Sequence, residues 1–306
     1  MFTKLKKELF YIKEMVRYGY GPASLLNYFK NRVLARQIVK KMPRHKCEKQ
    51  DNFEVHMLCQ KSDVIPSTWS LWSFLKNSRL CPKIVIHDDG SLNKSSADIF
   101  SEKFDNIEII WKKDADELID KMSSSSIIKD YRKNGHPLIL KLVDIILLSR
   151  AEKVMVLDSD VLFFKNPEEV VGFVKGRSNR DALISQAGGG FTIKVESSYL
   201  EKYDLTRKNI EFMNSGIIIY NKPPISENKL SEYLENCELD MSDYFVEMTG
   251  WNCLVGQTNY EFLPLDQYII KGKPDSNTVA KHFTSPRRHE FYAYGIDKAR
   301  DNLDKI

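Results

Sequence analysis

Two aspartates in the middle of the chain have the types and spacing to do chemistry. Asp158 and Asp160 directly follow the apolar run 154–157. If that run is a strand of an open α/β sheet, both carboxylates emerge at its carboxyl end, where such sheets bind ligands. Side chains two positions apart on an extended segment share one side, so both can address one cation. Hard oxygen ligands suit Mg²⁺ or Mn²⁺, which bridge to a diphosphate. The alternative is a turn, in which aspartates accept backbone hydrogen bonds.

A second acidic pair, Asp88 and Asp89, follows the apolar run 83–87 and precedes Gly90. At the same sheet edge these carboxylates could accept a hydrogen bond from a ribose hydroxyl or a base N–H, and the glycine permits close approach of the backbone. Asp-Gly is also a common turn dipeptide, so a purely structural role stays open.

The pattern of the chain from residue 53 predicts the sheet that these sites need. Short apolar runs predict strands at 53–59, 83–87, 107–111, 153–157, 182–185 and 217–220, and helical spacing covers 66–79, 115–133 and 137–150, with a serine-rich loop at 123–126. Strands that alternate with helices give an α/β fold with a mostly parallel sheet flanked by helices. Trp69 and Trp72, on the first of these helices, are expected in the core.

Residues 1–50 differ from the remainder and predict a basic helical N-terminal arm before a single domain at 51–306. Residues 1–49 hold 13 Lys or Arg against three Glu, a charge of +10, whereas residues 50–306 carry −6. Leu5, Leu9, Ile12 and Val16 recur at helical spacing. Such a helix can lie on an anionic membrane surface, or it can cap the domain with a solvated charged face. The acidic body argues against nucleic acid as a partner.

The cysteine count and the hydropathy pattern predict a cytoplasmic protein. Five cysteines, at 47, 59, 81, 237 and 253, form no C-x-x-C pair, which favours reduced thiols. No apolar run is as long as a membrane span, and the first residues have no secretory h-region. An export enzyme on a membrane stalk is therefore not expected, although the arm could hold the protein peripherally at a membrane.

Three motifs in order resemble a known group of enzymes. These are the strand with its D-x-D segment, the segment Met213–Tyr220 with its Asn-Ser-Gly, and the late segment Lys281–Thr284 with its His-Phe. The order is similar to that of GT-A fold glycosyltransferases, especially those related to glycosyltransferase family 8. The resemblance covers about 53–295 and leaves the arm outside.

The resemblance implies a divalent metal site and a donor pocket. Asp158 and Asp160 would hold Mn²⁺ or Mg²⁺ with His282 as the third protein ligand. A histidine beside carboxylates is a common ligand set for Mn²⁺, although a lone histidine beside a phenylalanine is more often structural. Ser159 would lie against the bound nucleotide, between the two ligands.

Other positions of the motifs imply contacts to the substrates. Asn214 and Gly216 would line the sugar and acceptor side of the pocket. Lys141 stands where relatives often carry an arginine that touches the donor, and it keeps the charge without the bidentate fork. Arg287 and Arg288 could neutralise phosphate oxygens, or they could belong to a solvated basic loop.

Two carboxylates compete for the catalytic role. Asp266, which precedes Gln267, has the letters of the family's aspartate-glutamine segment, and Glu247 lies shortly before Trp251. The resemblance implies retention at the anomeric carbon. An inverting enzyme needs only one well-placed carboxylate base, and either residue could serve.

The expected function is that of a hexosyltransferase-like enzyme of polysaccharide biosynthesis. It would move a sugar from a nucleotide diphosphate donor, expected to be a UDP-sugar, to a hydroxyl of a glycan or lipid-linked acceptor. One rival is a sugar-nucleotide pyrophosphorylase, which usually has a glycine-rich loop after its first strand, whereas residues 59–63 contain no glycine. Another is a catalytically silent polysaccharide-binding module docked on membranes through the arm.

Overall fold

The predicted strands form one central sheet in the computed structural model, which describes residues 2–47 and 52–303. Its seven strands run in the order β3-β2-β1-β4-β7-β6-β8. Strand β7 is antiparallel to both neighbours, and the other six share one direction. The prediction of a mostly parallel sheet flanked by helices is confirmed. The strands are β1 (Phe53–Cys59), β2 (Lys83–Asp88), β3 (Ile107–Ile110), β4 (Lys153–Leu157), β5 (Val161–Phe163), β6 (Ala182–Gln186), β7 (Met213–Asn221), β8 (Tyr260–Phe262), β9 (Tyr268–Ile269) and β10 (Ala280–His282).

Helices cover both faces of this sheet. They are α1 (Phe2–Arg17), α2 (Pro22–Lys41), α3 (Val64–Ser78), α4 (Lys94–Lys103), α5 (Lys112–Met122), α6 (Ser126–Asn134), α7 (Ile139–Leu148), α8 (Glu168–Val174), α9 (Ser197–Lys202), α10 (Arg207–Ile210), α11 (Glu227–Glu235), α12 (Val246–Gly256) and α13 (Ile296–Leu303). One large apolar cluster includes Trp69 of α3, and another includes Trp251 of α12. A sheet buried on both faces explains why its strands read as continuous apolar runs.

Local capping explains where the helices differ from the predicted bounds. The stretch predicted as one helix at 115–133 divides into α5 and α6, because Ser125 caps α6 by accepting a hydrogen bond from the Ile128 N–H at 3.4 Å. The serine-rich loop is thus confirmed at 123–125, whereas Ser126 already belongs to α6. The next helix begins at Ile139, two residues later than predicted, and Pro137 precedes it.

A three-stranded sheet, β5-β10-β9, lies beyond the carboxyl end of β4. Strand β10 runs antiparallel to β5, and His282 at its end stands opposite Val161 at the start of β5. Residue 160 and residue 282 therefore meet at the same end of this small sheet. The topology thus joins two motifs that are far apart in sequence.

The arm packs on the segment that follows β10. Tyr11, Met15 and Tyr28 are buried in one apolar cluster with Ala293. The side-chain N–H₂ of Asn31 donates to the carbonyl of Tyr292 at 2.8 Å and to the Asp297 carboxylate at 2.9 Å. One face of the arm thus covers the domain. The predicted boundary at residue 50 lies outside the described residues, as does the side chain of Leu5.

The expectation of five reduced thiols is wrong for one pair. Cys47 and Cys81 form a disulfide, with Cα atoms 5.6 Å apart. A backbone bridge between His45 and Phe104, together with a hydrogen bond from the Cys47 N–H to Asp105, brings the end of the arm beside the start of β2. The other three thiols are free. Across the described helices, none has the length and hydropathy to cross a membrane.

Candidate active site

The acidic pair and His282 form one compact cluster. His282 Nε2 lies 3.1 Å from Asp160 and 3.4 Å from Asp158, and one ligand atom from each residue lies within 4.8 Å of the others. The two aspartates follow β4, and the histidine ends β10. The three residues predicted as metal ligands therefore come together at the carboxyl edge of the sheet, the edge at which the strand pattern predicted the two aspartates.

Asn214, at the start of β7, orients the histidine. Its side-chain oxygen lies 2.8 Å from His282 Nδ1 and also accepts the Gly216 N–H at 3.1 Å. With Nδ1 engaged in this way, Nε2 is directed at the two aspartates. A metal-binding histidine is typically held by such a bond at its second nitrogen.

Gly216 leaves room for that imidazole. A Cβ on this residue would lie 2.2 Å from His282 Nδ1, too close for any side chain to be accommodated without displacing the ring. The Gly216 carbonyl also accepts the Asp158 N–H at 3.0 Å, which fixes the backbone of the first aspartate. Both predicted residues of the Asn-Ser-Gly segment thus contact the metal-ligand cluster directly.

An irregularity in β7 brings that segment into the site. Ile184 of β6 pairs with Ile218, but the next residue, Ser185, pairs with Asn214. The residues between bulge out of the ladder, and the Ser185 hydroxyl donates to the Asn214 carbonyl at 2.9 Å while accepting the Ile217 N–H at 3.3 Å. Bulges re-aim side chains in this way beside functional sites. Nothing in the sequence singled out Ser185.

Lys141 holds the first aspartate from within the core. Its ammonium lies 2.7 Å from Asp158 and 3.1 Å from Glu247, and it donates to the Ser215 carbonyl at 2.9 Å. The Ser215 hydroxyl in turn donates to Glu247 at 3.2 Å. We call Lys141, Ser215 and Glu247 the Lys141 flank.

Arg288 holds the second aspartate from the opposite side. Its guanidinium contacts Asp63 at 2.5 Å, Ser159 at 3.1 Å and Asp160 at 3.5 Å. We call Arg288, Asp63 and Ser159 the Arg288 flank. Asp63 lies in the turn after β1 and was not predicted; its position at the end of a strand on the ligand edge was the available signal.

The charges of the site are balanced by these contacts. Burial would raise the pKa of Asp160, but Arg288 and His282 outweigh it and lower that pKa. Burial would likewise lower the pKa of Lys141, whereas Asp158 and Glu247 raise it. Burial raises the pKa of Glu247 by more than Lys141 lowers it. The ammonium is therefore firmly charged, and Glu247 is the carboxyl group of the site that takes up a proton more readily than usual.

Two predicted residues make their contacts elsewhere. The Arg287 guanidinium pairs with Glu290 at 3.1 Å and lies 4.3 Å above the ring of Tyr18, so it fastens the arm. Asp266 is exposed and accepts a hydrogen bond from Asn277 at 2.8 Å. Of the two competing carboxylates, Glu247 is the one in contact with the residues around the acidic pair.

The pair at the end of β2 organises its own loop. The Asp88 carboxylate accepts the N–H groups of Gly90 and Leu92 at 2.8 and 2.9 Å, and that of Lys112 at 3.3 Å. Asp89 accepts the N–H of Ser91 at 2.9 Å. Both carboxylates therefore stabilise a turn, as the alternative of a purely structural role predicted. The turn lies on the same sheet edge as the acidic pair.

The fold and this cluster together define a class of protein: a GT-A type α/β fold with an Asp-Ser-Asp segment at the end of its fourth strand. No protein-family model matches the sequence, and no curated protein matches it. Solved structures do match its fold. They include enzymes of sugar transfer, which differ widely from this chain in sequence.

Two matched structures illustrate the likeness. The chain is similar to the bifunctional glycosyltransferase WbbM in its apo form, with a TM-score of 0.54 and 14% identity, over 85% of this chain and 51% of that one. It thus spans about half of that WbbM chain. It is also similar to an active-site mutant of LgtC, with a TM-score of 0.50 and 13% identity, over 82% of this chain and 95% of that one. At such identities the likeness shows the GT-A fold of glycosyltransferases.

Proposed function

We propose that this chain transfers a sugar from a nucleotide diphosphate donor, with a UDP-sugar as the expected form, to a hydroxyl of a glycan or lipid-linked acceptor. The observation that carries the proposal is the cluster of Asp158, Asp160 and His282 at the ligand edge of a GT-A fold, with one cation on each side. Sugar transfer from such a donor generates negative charge on the departing diphosphate. Preorganised positive charge at that place is usually the largest contribution to catalysis.

The donor set of the cluster fits a divalent ion. It offers two carboxylates and an imidazole nitrogen whose ring is already oriented by Asn214. Mn²⁺ and Mg²⁺ accept such oxygen-rich ligand sets, with Mn²⁺ favoured by the imidazole. When bound there, the ion would act as a Lewis acid toward the diphosphate oxygens.

The two flanks supply the remaining chemistry of the proposal. Arg288 would bind phosphate oxygens through its planar guanidinium, with Ser159 beside it. Lys141 keeps Asp158 and Glu247 in place and contributes a fixed positive charge. Glu247 is our candidate for the carboxylate that faces the reacting sugar, and retention at the anomeric carbon is part of the proposal. NMR analysis of the anomeric configuration of the first product would test retention.

The structure offers less support for a pyrophosphorylase. A pyrophosphorylase is expected to have a glycine-rich phosphate loop after its first strand. The turn after β1 contains instead a short 3₁₀ segment, Lys61–Asp63, in which Asp63 contacts Arg288. A silent binding module would have no need of an oriented histidine at an acidic pair. Hydrolysis of a nucleotide sugar that depends on Mn²⁺ would exclude both rivals.

The acidic pair gives the direct test. We expect Asp158→Asn and Asp160→Asn each to lower donor hydrolysis by at least about 10²-fold, because each removes an anionic ligand from the ion that stabilises the leaving group. Asp120→Asn, an exposed aspartate on α5, is the matched control. Circular dichroism would confirm that each variant is folded. Near-native turnover of either variant with Mn²⁺ would contradict the proposal.

We also propose that the outer face of the arm contacts an anionic membrane. Leu26, Phe29 and Val33 of α2 recur at i, i+3 and i+7 and are 70%, 45% and 61% exposed. They form one apolar stripe beside the exposed Lys30 and Arg36. An apolar stripe with basic neighbours suits binding in the plane of an anionic surface. The opposite face of the arm covers the domain, so both roles predicted for the arm are compatible.

Vesicle sedimentation would test this contact. Binding to anionic vesicles should weaken as salt shortens the screening length from about 10 Å at 0.1 M to about 3 Å at 1 M. Leu26→Glu with Val33→Glu should abolish it, because both positions are exposed and apolar. Leu118→Glu, at an exposed apolar position of α5, is the control. If the double variant binds vesicles as well as the native chain does, the membrane contact is wrong and the arm has only its structural role.

A further inference from the structure

A basic cavity lies at the end of the molecule opposite to the acidic pair. It has a volume of about 550 Å³, opens to solvent, and is lined by the last residues of the arm, the end of α3 and the chain just before β2. Five basic residues and one tryptophan contribute to its wall: Arg44, His45, Lys46, Trp72, Lys76 and Arg79. Cavities of this size are common for small-molecule ligands.

The position of the cavity separates it from the donor site. Helix α3 begins at Val64, beside Asp63 of the Arg288 flank, and has 15 residues. At 1.5 Å per residue its two ends are about 22 Å apart. Lys76 and Arg79 are at the far end, next to the amino end of β2. A ligand in this cavity therefore binds at the edge of the sheet that the proposed sugar transfer does not use.

Three of the cavity's cationic side chains lack a carboxylate partner among the described residues. Within the described residues, Arg44 pairs with Asp105, but no carboxylate pairs with Lys46, Lys76 or Arg79. Lys76 lies 5.3 Å above the ring of Trp72. Burial and then Lys76 lower the pKa of His45, which is the sign expected in a positive surrounding. Like charges held together without a counterion are unfavourable until an anion joins them.

A polar group of the wall is also unsatisfied. Trp72 is 6% exposed, and its indole N–H has no hydrogen-bond acceptor among the described residues. By contrast, the indole N–H of Trp69 on the same helix donates to the Ala35 carbonyl at 3.2 Å. A buried donor without an acceptor is costly, so a bound ligand that offers an acceptor to this N–H would be stabilised by it.

We propose that this cavity is a second anion site, which binds a phosphate-bearing ligand. Phosphate offers several charged acceptors to the arginine and lysine groups of the wall. The ligand could be a soluble phosphate compound or the phosphate of a lipid headgroup, since the exposed Lys40 and Lys41 at the end of α2 lie just before the cavity. The two sources share one chemistry, and a binding experiment distinguishes them.

The experiment uses inorganic pyrophosphate as probe and the full chain in EDTA, so that no divalent ion joins pyrophosphate to the acidic pair. Calorimetric titration should show binding that weakens with salt. We expect Lys76→Gln and Arg79→Gln each to weaken it about tenfold, because each removes a charged hydrogen-bond donor, and Lys76→Arg to restore it. The control is Lys94→Gln with Lys113→Gln, which removes two positive charges, as Lys76→Gln with Arg79→Gln does, at exposed positions outside the cavity. It should bind pyrophosphate like the native chain.

Four further measurements make the outcome decisive. Arg288→Gln should keep native pyrophosphate binding; if it loses binding while Lys76→Gln keeps it, the probe occupies the donor site and the proposal fails. Unchanged binding by the double variant Lys76→Gln/Arg79→Gln would also overturn it.

Anionic vesicles identify the source of the phosphate: a vesicle affinity that falls in the double variant indicates a lipid phosphate, and an unchanged one indicates a soluble ligand. Donor hydrolysis should be native in these cavity variants, which separates this test from that of the sugar transfer.

Discussion

The two flanks of the acidic pair hold their aspartates in different ways. Lys141 is 4% exposed and belongs to α7, where it contacts Ser215 of the central strand β7 and Glu247 of α12. Arg288 is 17% exposed and belongs to a segment on which the arm packs. The Lys141 flank is thus part of the core, whereas the Arg288 flank depends on a peripheral element. Lys141 is therefore held by the core, and Arg288 is held by a segment that also contacts the arm.

The largest expected effect comes from breaking the Lys141 flank. Lys141→Met leaves Glu247 and Asp158 without their buried counterion, and removal of one partner of a buried ion pair costs about 3–5 kcal/mol. Chemical denaturation would measure this loss. Lys141→Met with Glu247→Gln should recover much of the stability but not the donor hydrolysis. If the single variant is as stable as the native chain, the flank is not the fixed one.

Breaking the Arg288 flank should cost activity more than stability. Arg288→Gln removes a charged donor from Asp63, Ser159 and Asp160 but leaves the apolar core intact. Hydrogen bonds to charged groups contribute about 1.5–3 kcal/mol, so we expect donor kcat/KM to fall roughly 10- to 100-fold. Steady-state kinetics and a melting curve would measure both quantities. A melting temperature that falls as far as that of Lys141→Met would remove the contrast between the flanks.

A methyl group at Gly216 should disturb the proposed metal ligand His282 without contacting Lys141 or Arg288. Gly216→Ala places a Cβ 2.2 Å from His282 Nδ1 and forces the ring away from the aspartates. We expect Mn²⁺ affinity to fall about 10- to 100-fold, as for other changes in groups that orient a ligand. Gly172→Ala, in α8, meets no atom within 4 Å and is the control. Mn²⁺ titration compares the two, and equal affinities would mean that His282 is not a ligand.

The smallest expected effect is a pH dependence that arises outside both flanks. His56 and His87 are buried in β1 and β2, 2.8 Å apart, and burial lowers the pKa of each. The unfolded chain therefore binds more protons than the folded one below about pH 6.5, and stability falls as the pH decreases. The slope should reach at most about 1.4 kcal/mol per pH unit for each histidine. Denaturation between pH 7 and 5 would measure it, and His87→Gln should flatten it.

The sequence was sufficient for the features that depend on local pattern. The run 154–157 identified a buried strand, and the position of Asp158 and Asp160 after it follows from strand geometry. His282 was added by the resemblance of the motif order to a known family, and the antiparallel pairing of β5 and β10 brings it beside Asp160 in the structure. The fold class follows from the alternation of strands and helices, which is also a local pattern of the sequence.

The contacts between distant residues could not be predicted in this way. Lys141 and Glu247 are 106 positions apart and were expected in separate roles, whereas the structure pairs them. Asp63 appears only as one aspartate in a polar turn. The choice between Arg287 and Arg288 depends on Tyr18 and Glu290, which hold the first arginine away from the acidic pair. Such pairings are set by packing, which single-sequence patterns do not encode.

The contacts that attach the arm have a consequence for the order in which the chain completes its structure during synthesis. Asn31 and Tyr20 bind residues 261 to 270 positions further along the chain. Contacts of such separation carry a large loop-closure cost and are expected to form late. During synthesis at about 5–20 residues per second, the 41 residues from 248 to 288 take about 2–8 s to add. For that interval a nascent chain has the Lys141 flank and both aspartates, but it lacks at least Arg288 and the surface on which its arm will rest.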